Sequence, residues 1–204
     1  MICFAQTTDQ IASGDDQPTY HDLSGSALLL KDWAPGIIRF SSGRTTNQFK
    51  LKFDCVANKV LLQFNGSSFS SESKIKEFVI YPKGFNSPDS MVFRKSFPAT
   101  AIANEETFYQ ILLADTVSLL KLMVKNIDEE RQIASKVVYR RIKDEEKYYY
   151  LENGKMILIP NDKNLVADIF PEKKDQIREF ISARQLKFRG QSDYIELINY
   201  YNSL

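Results

Sequence analysis

Histidine is nearly absent from this sequence, which contains only His21 among its 204 residues. General acid-base catalysis and zinc binding most often use histidine. A single histidine cannot supply a zinc site with several imidazole ligands. It also lies beside Asp22 in a polar segment, which disfavours the preorganised geometry of a Ser-His-Asp triad. We therefore interpret His21 as a solvated side chain.

Cysteine is scarce as well, with only Cys3 and Cys55 in the chain. The two could form one disulfide, but no spacing motif supports that pairing. If the residues before Gln6 are removed, Cys55 is the only thiol left and an intramolecular disulfide is excluded. We interpret Cys55 as a small, half-buried residue.

Neither sign of charge is in excess, because 27 Lys and Arg residues face 26 Asp and Glu residues. Dedicated nucleic-acid binders normally carry a basic excess, so we predict no nucleic-acid partner. No apolar run approaches the roughly 20 residues of a membrane-spanning helix, so no membrane span is predicted. The 43% hydrophobic content is that of an ordered, globular chain.

The common catalytic motifs are also missing. There is no Gly-x-Ser-x-Gly elbow, no phosphate-binding P-loop and no Gly-x-Gly-x-x-Gly fingerprint. Ser-x-x-Lys spacings occur at Ser71…Lys74 and Ser118…Lys121 without the motifs that accompany them in penicillin-recognising enzymes. The acidic runs 128–130 and 144–146 lack the pattern of a calcium loop and are interpreted as solvated turns. We predict no cofactor, no metal and no catalytic residue.

The first residues resemble the end of a signal peptide. Met1 to Ala5 is short, apolar and uncharged, and the polar segment 6–24 follows it directly. Cys3 and Ala5 occupy the small-x-small positions that signal peptidase recognises, so cleavage would leave Gln6 at the N-terminus. We therefore expect a protein that is secreted or periplasmic, which includes association with the outer membrane or the cell surface. A buried apolar N-terminal strand is the alternative.

The region from Gly36 to Tyr81 has the period of two that is typical of strands. Residues 49–53 and 60–64 alternate apolar and polar side chains around a short connection and predict an antiparallel hairpin. A strand at 37–40 precedes it. A loop at 65–73 and a strand at 75–81 follow it, which completes a meander.

Residues 107–127 admit two interpretations. One is a helix whose apolar face carries Val117, Leu120, Val124 and Ile127. The other is a second hairpin around Asp115, and we prefer it because strands are predicted on both sides.

Two further strands, 137–142 and 147–151, are predicted around a turn at 144–146. Asn153-Gly154 then separates residues 148–151 from 156–159. Asn-Gly accepts the positive φ angles of a type I′ turn, so this is the strongest hairpin signal in the chain.

The period becomes helical at residues 161–204. Asn161-Asp162 is a candidate N-cap, Pro171 fits the first position of a helix, and Ser192 is a candidate cap of the last helix. Tyr194, Leu197, Ile198 and Tyr201 have the spacing of one helix face. Three short helices are predicted.

These patterns predict an α+β fold. We expect a mainly antiparallel β-sheet of about 8–10 strands, arranged as a sandwich or partial barrel and covered by three short C-terminal helices. The expected segments are a signal-peptide remnant (1–5), a polar N-terminal arm (6–24), a β domain (25–160) and a helical segment packed on the sheet (161–204).

Aromatic residues are the main candidates for an interaction surface. If the core takes Tyr149, its neighbours Tyr148 and Tyr150 point to the opposite face and are exposed together. The alternative is that the C-terminal helices cover them. The candidate residues are Trp33, Tyr148, Tyr150, Tyr200 and Tyr201.

Residues 25–33 (Gly-Ser-Ala-Leu-Leu-Leu-Lys-Asp-Trp), residues 36–40 (Gly-Ile-Ile-Arg-Phe) and residues 155–204 together resemble a set of uncharacterised secreted proteins of Gram-negative bacteria. In that set an apolar Asp-Trp segment precedes a β-meander, and a Lys-rich helical tail follows an Asn-Gly or Asp-Gly hairpin. The resemblance implies an envelope location and a β-then-α order, and it implies no activity and no site residue.

Three functions follow as hypotheses. The first is a non-catalytic binding or protein-interaction module of the cell envelope, with a protein or small molecule as partner. The second is a carrier of a small apolar, lipid-like ligand in a β-enclosed cavity lined by Phe49, Phe53, Leu62 and Phe64. The third and least supported is a hydrolase that uses paired carboxylates or Ser71 with Lys74.

Overall fold

The computed structural model describes residues 23–70, 74–132 and 137–204. The expected signal-peptide remnant, His21 and most of the polar arm lie outside these residues, as does Ser71. The chain forms two compact units. The first contains the described residues up to Met91 together with Lys125–Lys143, and the second contains Val92–Val124 and Asp144–Leu204.

The first unit is built on an antiparallel sheet. Its strands are β1 (Leu23–Ser24), β2 (Ala34–Phe40), β3 (Thr45–Thr46), β4 (Lys50–Asp54), β5 (Lys59–Phe64), β6 (Ser67–Ser70) and β7 (Ile75–Ile80). They pair in the linear order β6-β5-β4-β2-β7, with β3 beside β2, and these pairs are antiparallel. The predicted hairpin of β4 and β5 is confirmed, whereas the predicted meander is wrong at its last strand, because β7 returns to pair with β2 and not with β5 or β6.

The loop predicted at residues 65–73 is wrong in its first half. Asn65 and Gly66 have φ angles of 49° and 84°, and they form a two-residue turn that places Ser67 opposite Phe64. The segment Ser67–Ser70 therefore continues the sheet as β6. The Asn-Gly pair supplies the same positive φ angles here as the Asn-Gly turn at residue 153.

The second unit contains β8 (Met91–Arg94, of which Met91 belongs to the first unit), β9 (Tyr109–Leu113) and β12 (Lys155–Ile159). Parts of two long strands, β10 (Ser118–Gln132) and β11 (Val137–Glu152), complete it. Leu113 pairs with Leu119 and Ile111 with Leu120, so the preferred hairpin interpretation of residues 107–127 is confirmed.

The two acidic runs do not form turns. Residues 144–146 lie within the continuous strand β11, and residues 128–130 lie within β10. In the outer part of these strands, Asp128 pairs with Lys143 at 3.4 Å and Glu129 with Arg140 at 2.7 Å. Opposite charges on the neighbouring strand therefore face Asp128 and Glu129, and such cross-strand pairs favour the strand pairing.

The predicted Asn-Gly hairpin joins β11 to β12. Asn153 and Gly154 have φ angles of 50° and 73°, and Glu152 pairs with Lys155 across the turn. This prediction is confirmed.

The helices are α1 (Lys163–Val166), α2 (Lys174–Arg184) and α3 (Gln191–Asn202), with 3₁₀ turns at Ala167–Ile169 and Pro171–Lys173. Asp162 caps α1 as predicted, since its carboxylate accepts the Asn164 N–H at 2.9 Å. The α+β class with three short C-terminal helices is confirmed. Among the described residues, no helix has the length and apolarity needed to cross a membrane.

The start of α3 differs from the prediction. Gly190, and not Ser192, is the N-cap, and the helix begins at Gln191. The carboxylate of Asp193 accepts the N–H groups of Lys187 at 2.9 Å and Phe188 at 2.8 Å. The first turn of α3 therefore holds the preceding loop in place, and this long-range role is not visible in the local pattern.

The helices cover one face of the second unit's strands. The buried cluster on this face joins Leu119, Tyr148 and Tyr150 of the strands to Ile177 of α2 and Leu197 of α3. The opposite face is buried as well, around Phe97, Tyr109, Leu120, Leu122 and Tyr149. Strands that are buried on both faces need apolar or aromatic side chains at successive positions, and three consecutive tyrosines satisfy that requirement.

The end of α3 is tied to the start of β10. The Asn202 amide accepts the Val117 N–H and donates to the Val117 carbonyl, with both distances 2.9 Å. One side chain thus replaces the two hydrogen bonds that a neighbouring strand would make.

Gly36 permits a close approach in the first unit. A Cβ at this position would overlap Leu51 and lie 2.5 Å from the Val79 carbonyl oxygen. We expect Gly36→Ala to lower the free energy of unfolding by about 2 kcal/mol, because the added methyl group forces both Leu51 and β7 away from residue 36. Urea denaturation measures this change.

Gly190→Ala is the control, because a Cβ there meets no atom within 4 Å. We expect a cost below about 1 kcal/mol, as is usual at an N-cap. Equal costs for the two substitutions would contradict the close approach at Gly36.

Candidate functional site

The expectation that Tyr148 and Tyr150 form an exposed pair is wrong. They are 4% and 3% exposed, and they lie beneath the C-terminal helices. Tyr149 lies on the opposite face, 5.8 Å from the ring of Tyr109. The alternation along the strand was anticipated correctly, and the helices cover the face as in the alternative interpretation.

Specific ring contacts explain this burial. Tyr148 stacks on Tyr194 of α3 with ring centroids 3.8 Å apart, and Tyr150 stacks on Phe170 at 4.9 Å. The Tyr150 hydroxyl donates to the Ile169 carbonyl at 3.0 Å. These tyrosines hold the helices on the sheet.

The other three candidate aromatics are half-buried. Tyr200 stacks on Phe180 at 3.9 Å, and Tyr201 lies 4.6 Å from the Phe170 ring. Both therefore contribute to the packing of the helices. Trp33 belongs to the first unit, where the Lys52 ammonium lies 5.1 Å from its ring centroid.

The residues suggested for a carrier cavity pack against one another. Phe53 lies 5.2 Å from Phe78, and Phe49 lies 5.8 Å from Phe64. Leu62 is fully buried, whereas Phe64 is 45% exposed. These side chains fill a common interior or face solvent, so they give the carrier hypothesis no support.

The remaining catalytic candidates are not brought together. The Ser118 hydroxyl donates to the Asp115 carbonyl at 3.2 Å, whereas the Lys121 ammonium binds Gln191 at 2.9 Å and Glu146 at 3.3 Å. The described part of the chain contains no group of three or more metal-binding side chains. The Ser118…Lys121 spacing therefore identifies no reactive centre, whereas Ser71 of the other spacing lies outside the described residues.

A cleft in the helical part of the second unit is the first element of a candidate site. Its volume is about 480 Å³, within the range of small-molecule sites. It lies where α1, α2 and the loop after α2 meet. Its walls are Lys163, Asn164, Ala167, Arg178, Ile181, Ser182, Gln185, Leu186 and Lys187.

A second, wider cleft of about 790 Å³ shares Lys163, Asn164 and Lys187 with the first. We call the two together the groove. Aromatic side chains line part of the second cleft, namely Tyr148, Phe188 and Tyr194. Its other residues are four acidic ones, one basic one and one neutral amide: Asp144, Glu145, Glu146, Asp162, Arg189 and Asn161.

The charges along the groove differ in how they are satisfied. Asp162 caps α1, and Glu145 pairs with Lys147 at 2.8 Å. Within the described residues, the ammonium groups of Lys163 and Lys187 have no ion-pair partner, and both residues are exposed. The shared wall of the groove therefore presents to solvent two cations that form no direct ion pair with any described residue.

Glu146 is held rigidly beside the second cleft. Its carboxylate accepts hydrogen bonds from the Tyr148 hydroxyl and from the ammonium group of Lys121, a buried residue of β10. Lys121 also bonds Gln191 at the start of α3. This network links two strands to a helix and places no unpaired charge in the interior.

The tyrosines beneath the helices have raised pKa values. Burial raises the pKa of Tyr150 to about 12 and that of Tyr194 to about 12, because the phenolate is poorly solvated there. Burial and the hydrogen bond to Glu146 also raise the pKa of Tyr148. The three phenols are therefore neutral at physiological pH.

The sequence did not identify the groove. Its cations come from α1, α2 and the loop after α2, and no spacing rule connects Lys163 with Lys187. The only local signal was the Asp162 cap, which places Lys163 at the first position of α1.

The tyrosine pKa values predict a loss of stability at high pH. An unfolded tyrosine titrates near pH 10, so above that pH the unfolded chain has lost protons that Tyr150 and Tyr194 retain in the fold. We expect the free energy of unfolding to fall between about pH 10 and about pH 12, by about 1.4 kcal/mol per pH unit for each tyrosine. Urea denaturation at several pH values measures this slope.

Tyr150→Phe should reduce the slope, because it removes one of the titrating groups. Tyr81→Phe is the control, since Tyr81 lies in the first unit next to Phe85. A slope unchanged by Tyr150→Phe would contradict the assignment.

Comparison with known proteins adds no family to these observations. No protein-family model, no curated protein and no solved structure matches the chain. The site is therefore interpreted from its own residues.

Proposed function

We propose that the chain is a non-catalytic binding module of the bacterial cell envelope and that the groove is its binding site. The observation that carries the proposal is the pair of exposed cations without an ion-pair partner among the described residues, Lys163 and Lys187, in the wall shared by the two clefts. Charged groups at a surface normally have solvent or an opposite charge as partner, and a concave wall concentrates their field on a bound molecule. The volume of the groove suits a small molecule or a short segment of a partner protein.

The non-catalytic character is supported by the partners of the titratable groups. Glu146 is bonded to Tyr148 and Lys121, and Asp162 is bonded to the backbone of α1. These carboxylates stabilise the fold through hydrogen bonds. In the wall shared by the two clefts, the charged groups without such partners in the described part of the chain are the ammonium groups of Lys163 and Lys187, which can bind anions or carbonyl oxygens.

The envelope location is supported by the sequence alone. The apolar start at residues 1–5, the polar segment after it and the resemblance to secreted proteins of Gram-negative bacteria all favour export. We expect the protein recovered from the periplasmic fraction of a Gram-negative host to have the intact mass of a chain that begins at Gln6. Mass spectrometry of the fractionated host checks this, and a full-length chain confined to the cytoplasmic fraction would overturn the location.

Binding is tested by native mass spectrometry of the protein purified from its own host envelope. We expect a retained mass beyond that of the polypeptide, either a small molecule or a second protein chain. Asn164→Trp should reduce the retained fraction, because its ring would occupy the wall shared by both clefts.

Glu179→Trp is the matched control. It adds the same ring at an exposed position of α2 that lines neither cleft. A bare wild-type polypeptide would contradict the binding function, and equal losses in the two variants would contradict the groove as its site.

A further inference from the structure

The first cleft of the groove has a single sign of charge. Lys163, Arg178 and Lys187 are its charged residues, and no carboxylate lines it. Arg178 forms ion pairs with Asp168 at 4.0 Å and Asp175 at 3.6 Å, and both distances are longer than those of charge-assisted hydrogen bonds. Asp168 itself is bonded to Lys174 at 2.8 Å, and that hydrogen bond lowers its pKa. The cleft therefore favours a ligand with negative charge.

The neutral polar residues of the cleft add hydrogen-bonding groups to the cations. Asn164, Ser182 and Gln185 all lie in its wall and are exposed. An amide nitrogen or a hydroxyl can donate to an anionic oxygen, and such charge-assisted bonds are about twice as strong as neutral ones. The combination suits a group with several oxygens, such as a phosphate monoester or a carboxylate.

The carboxyl end of α2 does not cancel this attraction. Helix C-termini carry partial negative charge on their last carbonyls. Here the Gln185 N–H donates to the Ser182 carbonyl oxygen at 3.2 Å, and the Leu186 N–H donates to the Ile181 carbonyl oxygen at 3.1 Å. Two of the carbonyls at this end are therefore capped, and the cleft keeps a positive charge from Lys163 and Lys187, to which the partly neutralised Arg178 adds.

The cleft also has an apolar floor. Ala167, Ile181 and Leu186 line it and belong to the buried cluster beneath the helices. A single inorganic anion would fill only a small part of about 480 Å³. A ligand with an apolar body fills more of this volume and gains roughly 25 cal/mol per Å² of apolar surface removed from water. Because the floor residues are only 2–7% exposed, most of that surface belongs to the ligand itself.

The second cleft discriminates against the same ligand. It contains Asp144, Glu145, Glu146 and Asp162, so an anion placed there meets carboxylates. Lys163 and Lys187 stand at the boundary between the two clefts. The charge pattern of the groove thus directs the anionic group into the first cleft.

We propose that the first cleft binds a small amphiphilic anion, a phosphate monoester or carboxylate joined to a short apolar body, with Lys163, Arg178 and Lys187 holding the anionic group. This inference rests on the proposed function and names the ligand class of the same groove. Phosphate and carboxylate share the chemistry that the cleft recognises, and the experiment separates them.

Isothermal titration calorimetry of the full chain tests the proposal with four probes below their micelle concentrations. Octyl phosphate and octanoate carry the anion and the apolar chain, inorganic phosphate carries only the anion, and octyl glucoside carries only the chain. We expect octyl phosphate or octanoate to bind about tenfold more tightly than inorganic phosphate and than octyl glucoside. Whichever of the two binds more tightly identifies the anionic group.

Lys163→Glu and Lys187→Glu should each weaken binding of the better probe by about tenfold, because each replaces an attraction with a repulsion. Lys155→Glu is the matched control, since it makes the same charge change at an exposed position of β12 outside the groove. All three residues are exposed, so circular dichroism should show the fold unchanged. Failure of both amphiphilic anions to bind, or equal effects of the three substitutions, would overturn the proposal.

The outcome is separable from that of the proposed function. If protein from the host envelope retains a mass that Asn164→Trp removes, while neither octyl phosphate nor octanoate binds, the groove remains a binding site and the ligand class is wrong. If the host protein retains nothing and the probes also fail to bind, both proposals fall.

Discussion

The second unit depends on burying both faces of its strands. Tyr148 and Tyr150 pack under the C-terminal helices, while Tyr149 packs with Tyr109 on the other side. Aromatic side chains remove much apolar surface from water while allowing a hydroxyl to reach a hydrogen-bond partner. The helices are too short to be stable alone, so their order follows from this contact with the sheet.

On the face beneath the helices, buried polar groups of the strands have hydrogen-bond partners. The Tyr150 hydroxyl reaches the Ile169 carbonyl, and Lys121 binds Glu146 and Gln191. These bonds avoid the cost of unpaired buried groups, which is about 1–3 kcal/mol for a neutral one. They also connect β10 to the start of α3 and β11 to the 3₁₀ turn at Ala167–Ile169, so the polar network helps to define the position of the helices on the strands.

The groove is formed by the same helices and the loops that connect them. Short helices and a loop cannot cover the sheet as smoothly as another sheet would, and the space that remains between α1, α2 and the loop after α2 is the first cleft. The loop's own geometry is set by Asp193, which accepts the N–H groups of Lys187 and Phe188. One carboxylate on α3 thereby holds the loop that carries a cation of the proposed anion site.

Local patterns determined much of the secondary structure from sequence: the alternation of β4 and β5, the Asn-Gly turn before β12, and the buried helix face of Tyr194, Leu197 and Ile198. These signals are short-range, because period and turn chemistry depend on neighbouring residues. Only the tertiary structure decided that residues 144–146 continue a strand, that Tyr148 and Tyr150 are covered, and that Lys163 and Lys187 share one wall. Each of these depends on cross-strand charges or helix packing between residues distant in the chain, which local periodicity does not encode.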